Sequence, residues 1–189
     1  MSYCGYIIVA IFIIIYFFGS RHMEQMKYSS DMIKLWTDHM LYTRQAVVAA
    51  LSTGRDNKAN DIIGVRLLKN QSDIGTLFGK RHGAENGQKL TSLLQTHIRN
   101  ASAALSAVRS NDSVAIAKAK TDLYVNADEI GKFLDDLLNT TQTFTTHMKL
   151  HIDTLLANVA AYASGDYPAD VDTLDAYVLS TTKMAEELS

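Results

Sequence analysis

Two stretches of this sequence place an asparagine, an acid three residues later and an Ile-Gly pair in the same order. They begin at Asn70 ("NQSDIG") and at Asn126 ("NADEIG"). Histidines recur at comparable spacing on the preceding segments. Imidazole and carboxylate groups together can bind a divalent transition metal or transfer a proton, so these residues are the first candidates for a functional site.

The candidate residues form two sets. Candidate metal ligands are His39, His97, His147, Asp73 and Glu129. A structural polar cluster around them comprises Asn70, Asn126, His151 and Arg44. In that cluster, we expect Arg44 to form an ion pair with Asp73 or to reach the other polar residues.

Three interpretations of these residues stay open. In the first, each histidine hydrogen-bonds the Asn or acid of its own helix pair and fixes the register of that pair, because buried polar groups need partners. In the second, the cluster binds zinc, iron, manganese or nickel and supports a hydrolase or transferase. In the third, a His and carboxylate pair acts as general acid or base. His147 and His151 share a helix face, but Met148 stands where a metalloprotease helix needs Glu.

No nucleophile motif is present, so the sequence assigns no catalytic residue and enzymatic activity is not favoured. The stretch "GKRHGAENG" is rich in glycine and precedes a helix, but it lacks the Gly-Lys-Ser/Thr ending of a phosphate-binding loop. We therefore interpret it as a loop between helices. We expect no cofactor, with a divalent transition metal as the alternative.

The elements that must position these residues are helices. Apolar residues recur at three- and four-residue spacing, and proline is absent until Pro168. The predicted fold is all-α: an N-terminal transmembrane helix followed by an up-and-down bundle of about six helices. The first bundle helix is predicted from Ser29 or Ser30 to Gly54, and the second from Asp61. The sixth is predicted to bury one stripe of residues: Val171, Leu174, Val178, Thr181, Ala185 and Leu188.

The six helices are predicted to form three repeated αα-hairpins. His39, His97 and His147 occupy matching places on the first helix of each hairpin, and Asn70, Asn126 and Thr181 match on the second. The third copy is degenerate, with Met184 where the others have an acid. Because each hairpin runs up and then down, its polar residues should meet at one level of the bundle.

The N-terminal segment differs from the rest of the chain. Tyr6 to Phe18 contains no charged residue, and an apolar run of this kind is typical of a membrane-spanning helix. The predicted organisation is a transmembrane anchor at 1–20, a juxtamembrane linker at 21–30 and a helical bundle at 31–189. Arg21 and Lys27 follow the span, so we expect the N-terminus outside and the bundle on the cytoplasmic side.

Composition limits the partners of the protein. The 189 residues carry a net charge of −2 with a pI near 6.3, and no basic excess is available for binding nucleic acid. Cys4 is the single cysteine, so the chain forms no internal disulfide. We expect contact with the lipid bilayer through residues 3–19, and either a protein partner or self-association.

Four stretches support a family resemblance: "LWTDHMLYTR", "RLLKNQSDIG", "HIRNASAAL" and "YVNADEIGKFL". Together they resemble a family of small, uncharacterised helical proteins from bacteria, chiefly Gram-positive ones, over about Met32 to Leu188. The chain departs from the family at Tyr42, where Trp is usual, after Leu138, where Asn-Pro-x-Trp is missing, and in its anchor.

The resemblance implies the helical fold and leaves the activity open. A structural or interaction role beside the bilayer is the leading functional expectation. The membrane could be that of a cell or the internal membrane of a large virus particle, in which the chain would be a structural component.

Overall fold

The computed structural model describes residues 3–52 and 57–189, with side chains at 19–52 and 61–189. Six helices account for nearly all of this part of the chain, and it contains no strand: α1 (Tyr3–Leu51), α2 (Asn57–His82), α3 (Ala84–Ser110), α4 (Ser113–Leu138), α5 (Thr143–Ser164) and α6 (Tyr167–Glu187). The prediction of an all-α fold with six helices is confirmed.

The helices form a closed ring. Each packs against the next in the chain, and α6 returns to α1. In addition, α1 contacts both α3 and α5, which are the first helices of the other two hairpins. The first helices therefore surround the centre of the bundle, and α2, α4 and α6 lie between them.

Helix α1 differs most from its prediction. It continues without a break through residues 21–30, where a linker was predicted, and Ser29 and Ser30 lie inside it rather than at its N-cap. No proline or glycine interrupts this segment, and Lys27 forms an ion pair with Asp31 one turn later at 2.6 Å, which favours the helix. The prediction that a helix starts at Ser29 or Ser30 was wrong for this reason.

The predicted anchor lies mostly outside the residues whose side chains are described, which begin at Gly19. Within the described residues, no helix is both long enough and apolar enough to cross a membrane.

The stretch "GKRHGAENG" is almost entirely helical. Helix α2 runs to His82 and α3 starts at Ala84, so only Gly83 separates them. Gly83 has φ +96°, a conformation open to glycine at little cost, and it turns the chain in one residue. The loop prediction was wrong because a turn this tight needs only one residue with positive φ.

Two apolar clusters make up the core. The proximal cluster, nearer residues 19–31 of α1, is built around Trp36, Phe78, Ile130, Phe144 and Ile152. The distal cluster is built around Val47, Leu67, Leu105, Leu155 and Tyr177. Five of the polar candidates lie between these two clusters: His39, Asn70, His97, Asn126 and His151.

Helix α6 matches its predicted stripe only in part. Thr181, Ala185 and Leu188 are buried as predicted, but Val171 and Val178 are exposed. The stripe was wrong at those two positions because the core-facing side of α6 also carries polar residues that find partners on other helices. Hydrophobic periodicity could not detect such a face.

Candidate functional site

A layer of buried polar side chains crosses the middle of the bundle. We call it the polar layer, and it consists of His39, Asn70, Gln71, His97, Asn126, His151 and Thr181, each no more than 3% exposed. On α1, α2, α3, α5 and α6, these residues separate the proximal cluster from the distal cluster. Every member must therefore meet its hydrogen-bonding needs inside the protein.

The second hairpin contains the simplest pair of the layer. His97 Nδ1 on α3 lies 3.1 Å from Asn126 Oδ1 on α4, and Asn126 Nδ2 donates to the Leu93 carbonyl at 3.2 Å. Because the amide nitrogen of Asn126 is engaged with a carbonyl, its oxygen faces the imidazole. Nδ1 of His97 is thus the protonated nitrogen, and it donates to Asn126.

The third hairpin repeats this arrangement with Thr181 in place of Asn. His151 Nδ1 lies 3.0 Å from Thr181 Oγ1, and the Thr181 hydroxyl donates to the Tyr177 carbonyl at 2.9 Å. The proton again lies on Nδ1. The histidine and its partner are 30 residues apart here and 29 in the second hairpin, which is the spacing signal that distinguishes His151 from His147.

The first hairpin uses a different partner. His39 Nδ1 lies 3.3 Å from Gln71 Nε2, which also donates to Asn70 Oδ1 at 2.9 Å. Asn70 Nδ2 donates to the Leu35 carbonyl at 2.9 Å. Gln71 Nε2 also donates to the Leu67 carbonyl at 3.1 Å. The Nε2 atom of His39 has no hydrogen-bond partner among the described residues.

The three histidines converge as well as pairing within their hairpins. The ring of His151 lies 5.8 Å from that of His39 and 5.6 Å from that of His97, centroid to centroid. The ring of Tyr177 also lies close to that of His151, at 5.1 Å between centroids and an interplanar angle of 39°. Both ideas from the sequence are therefore partly realised: each histidine has its own partner, and the rings meet at the centre.

Burial keeps all three imidazoles neutral. Loss of solvation, with a smaller effect of His97, lowers the pKa of His39 to about 3. Loss of solvation lowers the pKa of His97 to about 4, although the hydrogen bond to Asn126 partly opposes it. The pKa of His151 is lowered by burial and by both neighbouring histidines. No carboxylate contributes to any of these shifts.

The structure places the other candidate metal ligands away from this layer. Asp73 is half-buried and its carboxylate binds Lys69 at 2.8 Å. Glu129 is exposed, and His147 is half-buried one turn before His151. An acid three residues after a buried Asn points to the edge of the helix rather than to the core. Among the described side chains, no group of three or more His, Cys, Asp or Glu could hold a metal ion.

Arg44 has a different partner from the expected Asp73. Its guanidinium donates to both carboxylate oxygens of Asp170 on α6, at 2.8 and 2.6 Å, and to Asn158 Oδ1 on α5 at 3.1 Å. The guanidinium also lies 4.8 Å from the ring centroid of Tyr162. Arg44 therefore connects three helices in the distal half of the bundle.

Sequence reasoning missed several polar residues that matter here. Gln71 and Tyr177 contact the layer histidines, and neither lies on a predicted stripe. Asp135, at the end of α4, accepts hydrogen bonds from the backbone of Phe144 and from the backbone and hydroxyl of Thr145. Asp135 thus caps α5 from the neighbouring helix, and a contact between two helices leaves no local sequence signal.

The polar layer fits packing better than catalysis. Its imidazoles are neutral and are enclosed between two apolar clusters, so solvent does not reach them. No carboxylate hydrogen-bonds them, so they also have no acidic group with which to exchange a proton. Comparisons of the chain with protein-family models, with curated proteins and with solved structures give no match.

Proposed function

We propose that this protein is a membrane-anchored helical bundle with a structural or interaction role beside the bilayer. The proposed anchor is the apolar segment 3–19, on the sequence evidence alone. Its support from the fold is the continuity of α1, which leads from this segment directly into the centre of the bundle. A continuous helix would hold the bundle at a fixed distance from the membrane.

An apolar stripe on α6 carries the interaction part of the proposal. One face of the helix carries Tyr167, Val171 and Val178 at helical spacing, and these residues are 66%, 59% and 39% exposed. An exposed apolar stripe of this length is a feature of surfaces that bind another protein. Either a protein partner or a second copy of the chain fits it.

The anchor can be tested with paired double substitutions. Ile11→Lys/Ile14→Lys places two charges in the apolar segment, and Ile62→Lys/Val65→Lys places the same charges on exposed positions of α2. The full chain and the α2 variant should float with phosphatidylcholine vesicles and resist carbonate extraction, and the anchor variant should not. Equal flotation of all three proteins would contradict a membrane anchor.

The orientation and the stripe need separate measurements. Protease added to intact cells should leave the bundle uncut if it faces the cytoplasm, and should degrade it after the membrane is opened.

For the stripe, sedimentation of the full chain in detergent should show an assembly larger than the monomer, or a bound partner. The double substitution Val171→Glu/Val178→Glu should convert the assembly to monomers or release the bound partner. An unchanged assembly would remove α6 from the proposal.

A further inference from the structure

The distal half of the bundle contains an apolar cavity of about 210 Å³. Helices α1, α3, α4 and α5 line it. Its walls are Thr43, Val47, Ala101, Ala104, Leu105, Val108, Ile116, Lys120, Leu123, Leu155, Leu156, Val159 and Ala160. A cavity of this size is unusual, since protein interiors contain few voids larger than a water molecule.

The sequence explains why the space is not filled. Helix α4 supplies Leu123, Ala127, Ile130 and Leu134 to the proximal cluster and no buried residue to the distal cluster. Opposite it, α3 presents Ala101 and Ala104. Small side chains therefore face the part of α4 that contributes least to the core.

One lining residue of the cavity carries a buried hydroxyl group. This residue is Thr43, which is only 7% exposed. The hydroxyl of Tyr177 lies beside that of Thr43, but neither oxygen has a hydrogen-bond partner with acceptable geometry among the described residues. A buried hydroxyl without a hydrogen-bond partner is unfavourable, so this pair suits a ligand that supplies a hydrogen-bonding group.

The cavity reaches the surface beside Lys120. Its side chain is exposed, lies 6.0 Å from the Tyr124 ring and forms no ion pair with a described residue. The aliphatic part of a lysine can line an apolar cavity while its ammonium group stays in water. Lys120 thus marks an opening through which a small molecule can enter.

We propose that this cavity binds a small neutral molecule: an apolar ring or short chain with one hydroxyl or carbonyl group, which hydrogen-bonds Thr43. The size follows from the volume, since a cavity of about 150 Å³ holds benzene. The space here admits a ring with a few additional atoms. This site is separate from the proposed anchor and from the α6 stripe, so its test does not depend on either.

Phenol and toluene are suitable probes because they have nearly the same size and shape, and phenol carries a hydroxyl group where toluene carries a methyl group. The full chain in detergent is titrated with each, and the methyl NMR signals of Val47, Leu155 and Val159 report on the cavity. Methyl signals of Ile74 and Ile130 in the proximal cluster serve as internal controls. Both probes should give saturable shifts of the cavity signals only, and phenol should bind more tightly.

Two variants connect binding to the cavity. Thr43→Val removes the hydroxyl with little change in shape and should weaken phenol binding about 5-fold, while toluene binding changes less than 2-fold. Thr37→Val on the exposed face of α1 is the matched control and should bind both probes normally. Ala104→Leu should abolish binding of both, and the proximal methyl signals show that this variant is folded.

Three results would overturn the proposal. The first is the absence of saturable shifts up to the solubility of either probe. The second is equal movement of cavity and control signals, which indicates general partition into detergent. The third is a ratio of phenol to toluene affinity that Thr43→Val leaves unchanged.

Discussion

The His97 imidazole on α3 and the Asn126 carboxamide on α4 are separated by 3.1 Å between Nδ1 and Oδ1, with both side chains buried. The Nδ2 group of Asn126 also donates a hydrogen bond to the Leu93 carbonyl. One asparagine therefore satisfies a side chain and a backbone group of the facing helix. The two helices can slide along each other only by breaking both hydrogen bonds.

Replacement of Asn126 should therefore destabilise the bundle. Asn126→Leu leaves the Nδ1–H of His97 buried without a partner and removes the second hydrogen bond to the Leu93 carbonyl. We therefore expect a loss of about 1–3 kcal/mol in the free energy of unfolding. Chemical denaturation of the full chain in detergent measures this loss. Val125→Leu, at the exposed neighbouring position, is the control and should change stability by less than about 0.5 kcal/mol. An unchanged or higher midpoint for Asn126→Leu would contradict the pairing.

The neutral histidines predict sensitivity to acid. In the unfolded chain a histidine takes up a proton near pH 6.5, whereas in the fold the pKa of His39 is about 3 and that of His97 about 4. The unfolded state thus binds more protons below pH 6.5, and stability falls as pH falls. The full contribution is present above pH 6.5, and about 2 kcal/mol per layer histidine should be lost by pH 5.

Denaturant unfolding at pH 7.5, 6 and 5 checks this prediction, because the free energy of unfolding should be nearly constant above pH 7 and should fall steeply below 6.5. Replacement of one titrating group, as in His97→Gln, should lower stability at pH 7.5 but reduce the slope below pH 6.5. An identical slope in the variant and the natural protein would mean that His97 titrates normally in the fold.

The polar layer shows which part of the site could be predicted from sequence. His39, His97, Asn70 and Asn126 lie on apolar stripes, so their burial and their level in the bundle followed from periodicity alone. His147 and His151 lie one turn apart on the same face, and periodicity could not decide between them. Only the position of Thr181 on the facing helix selects His151.

Helix α6 shows the opposite case. Its buried face includes Asp170, Ser180 and Thr181, and each is buried because a residue on another helix satisfies it: Arg44, Thr154 and His151, respectively. Those partners are distant in sequence, so the pattern of α6 itself placed the exposed Val171 and Val178 on the predicted stripe and left Asp170 and Ser180 off it. Tertiary hydrogen bonds override hydrophobic periodicity at such positions.

The repeated glycine of the two motifs allows close helix packing. A Cβ atom at Gly131 would contact Thr145 on α5, with the Thr145 backbone nitrogen at 2.7 Å, whereas a Cβ atom at Gly64 would meet no atom within 4 Å. Gly131→Ala should therefore destabilise the bundle by about 1–3 kcal/mol through overpacking. Gly64→Ala should raise stability by up to about 1 kcal/mol through helix propensity.

The two alanine substitutions are chemically identical, so helix propensity cancels in the comparison and only packing remains. Thermal unfolding monitored by circular dichroism distinguishes them, with Gly131→Ala below the natural protein and Gly64→Ala at or above it. Equal midpoints for the two variants would show that α4 and α5 can separate without loss.

Asp135 and its neighbour Asp136 should respond differently to the same substitution. Burial of its carboxylate would raise its pKa, but hydrogen bonds from Thr140, Thr145 and Phe144 outweigh this effect and lower the pKa. Asp135→Asn exchanges an acceptor for a donor at the start of α5, so we expect a loss of about 0.5–2 kcal/mol. The exposed neighbour Asp136 is the control, and Asp136→Asn should have little effect.

The effect of Asp135 should also depend on pH with a definite sign. Because its folded pKa lies below the unfolded one, the carboxylate contributes its full stability above the unfolded pKa of about 3.9 and loses it as pH falls further. The difference in stability between Asp135→Asn and the natural protein should be constant from pH 7 to pH 5 and should shrink below pH 4. Histidine titration cancels in this difference because both proteins retain the polar layer. A difference that grew on acidification would place the proton on Asp135 in the folded state and exclude it as the cap of α5.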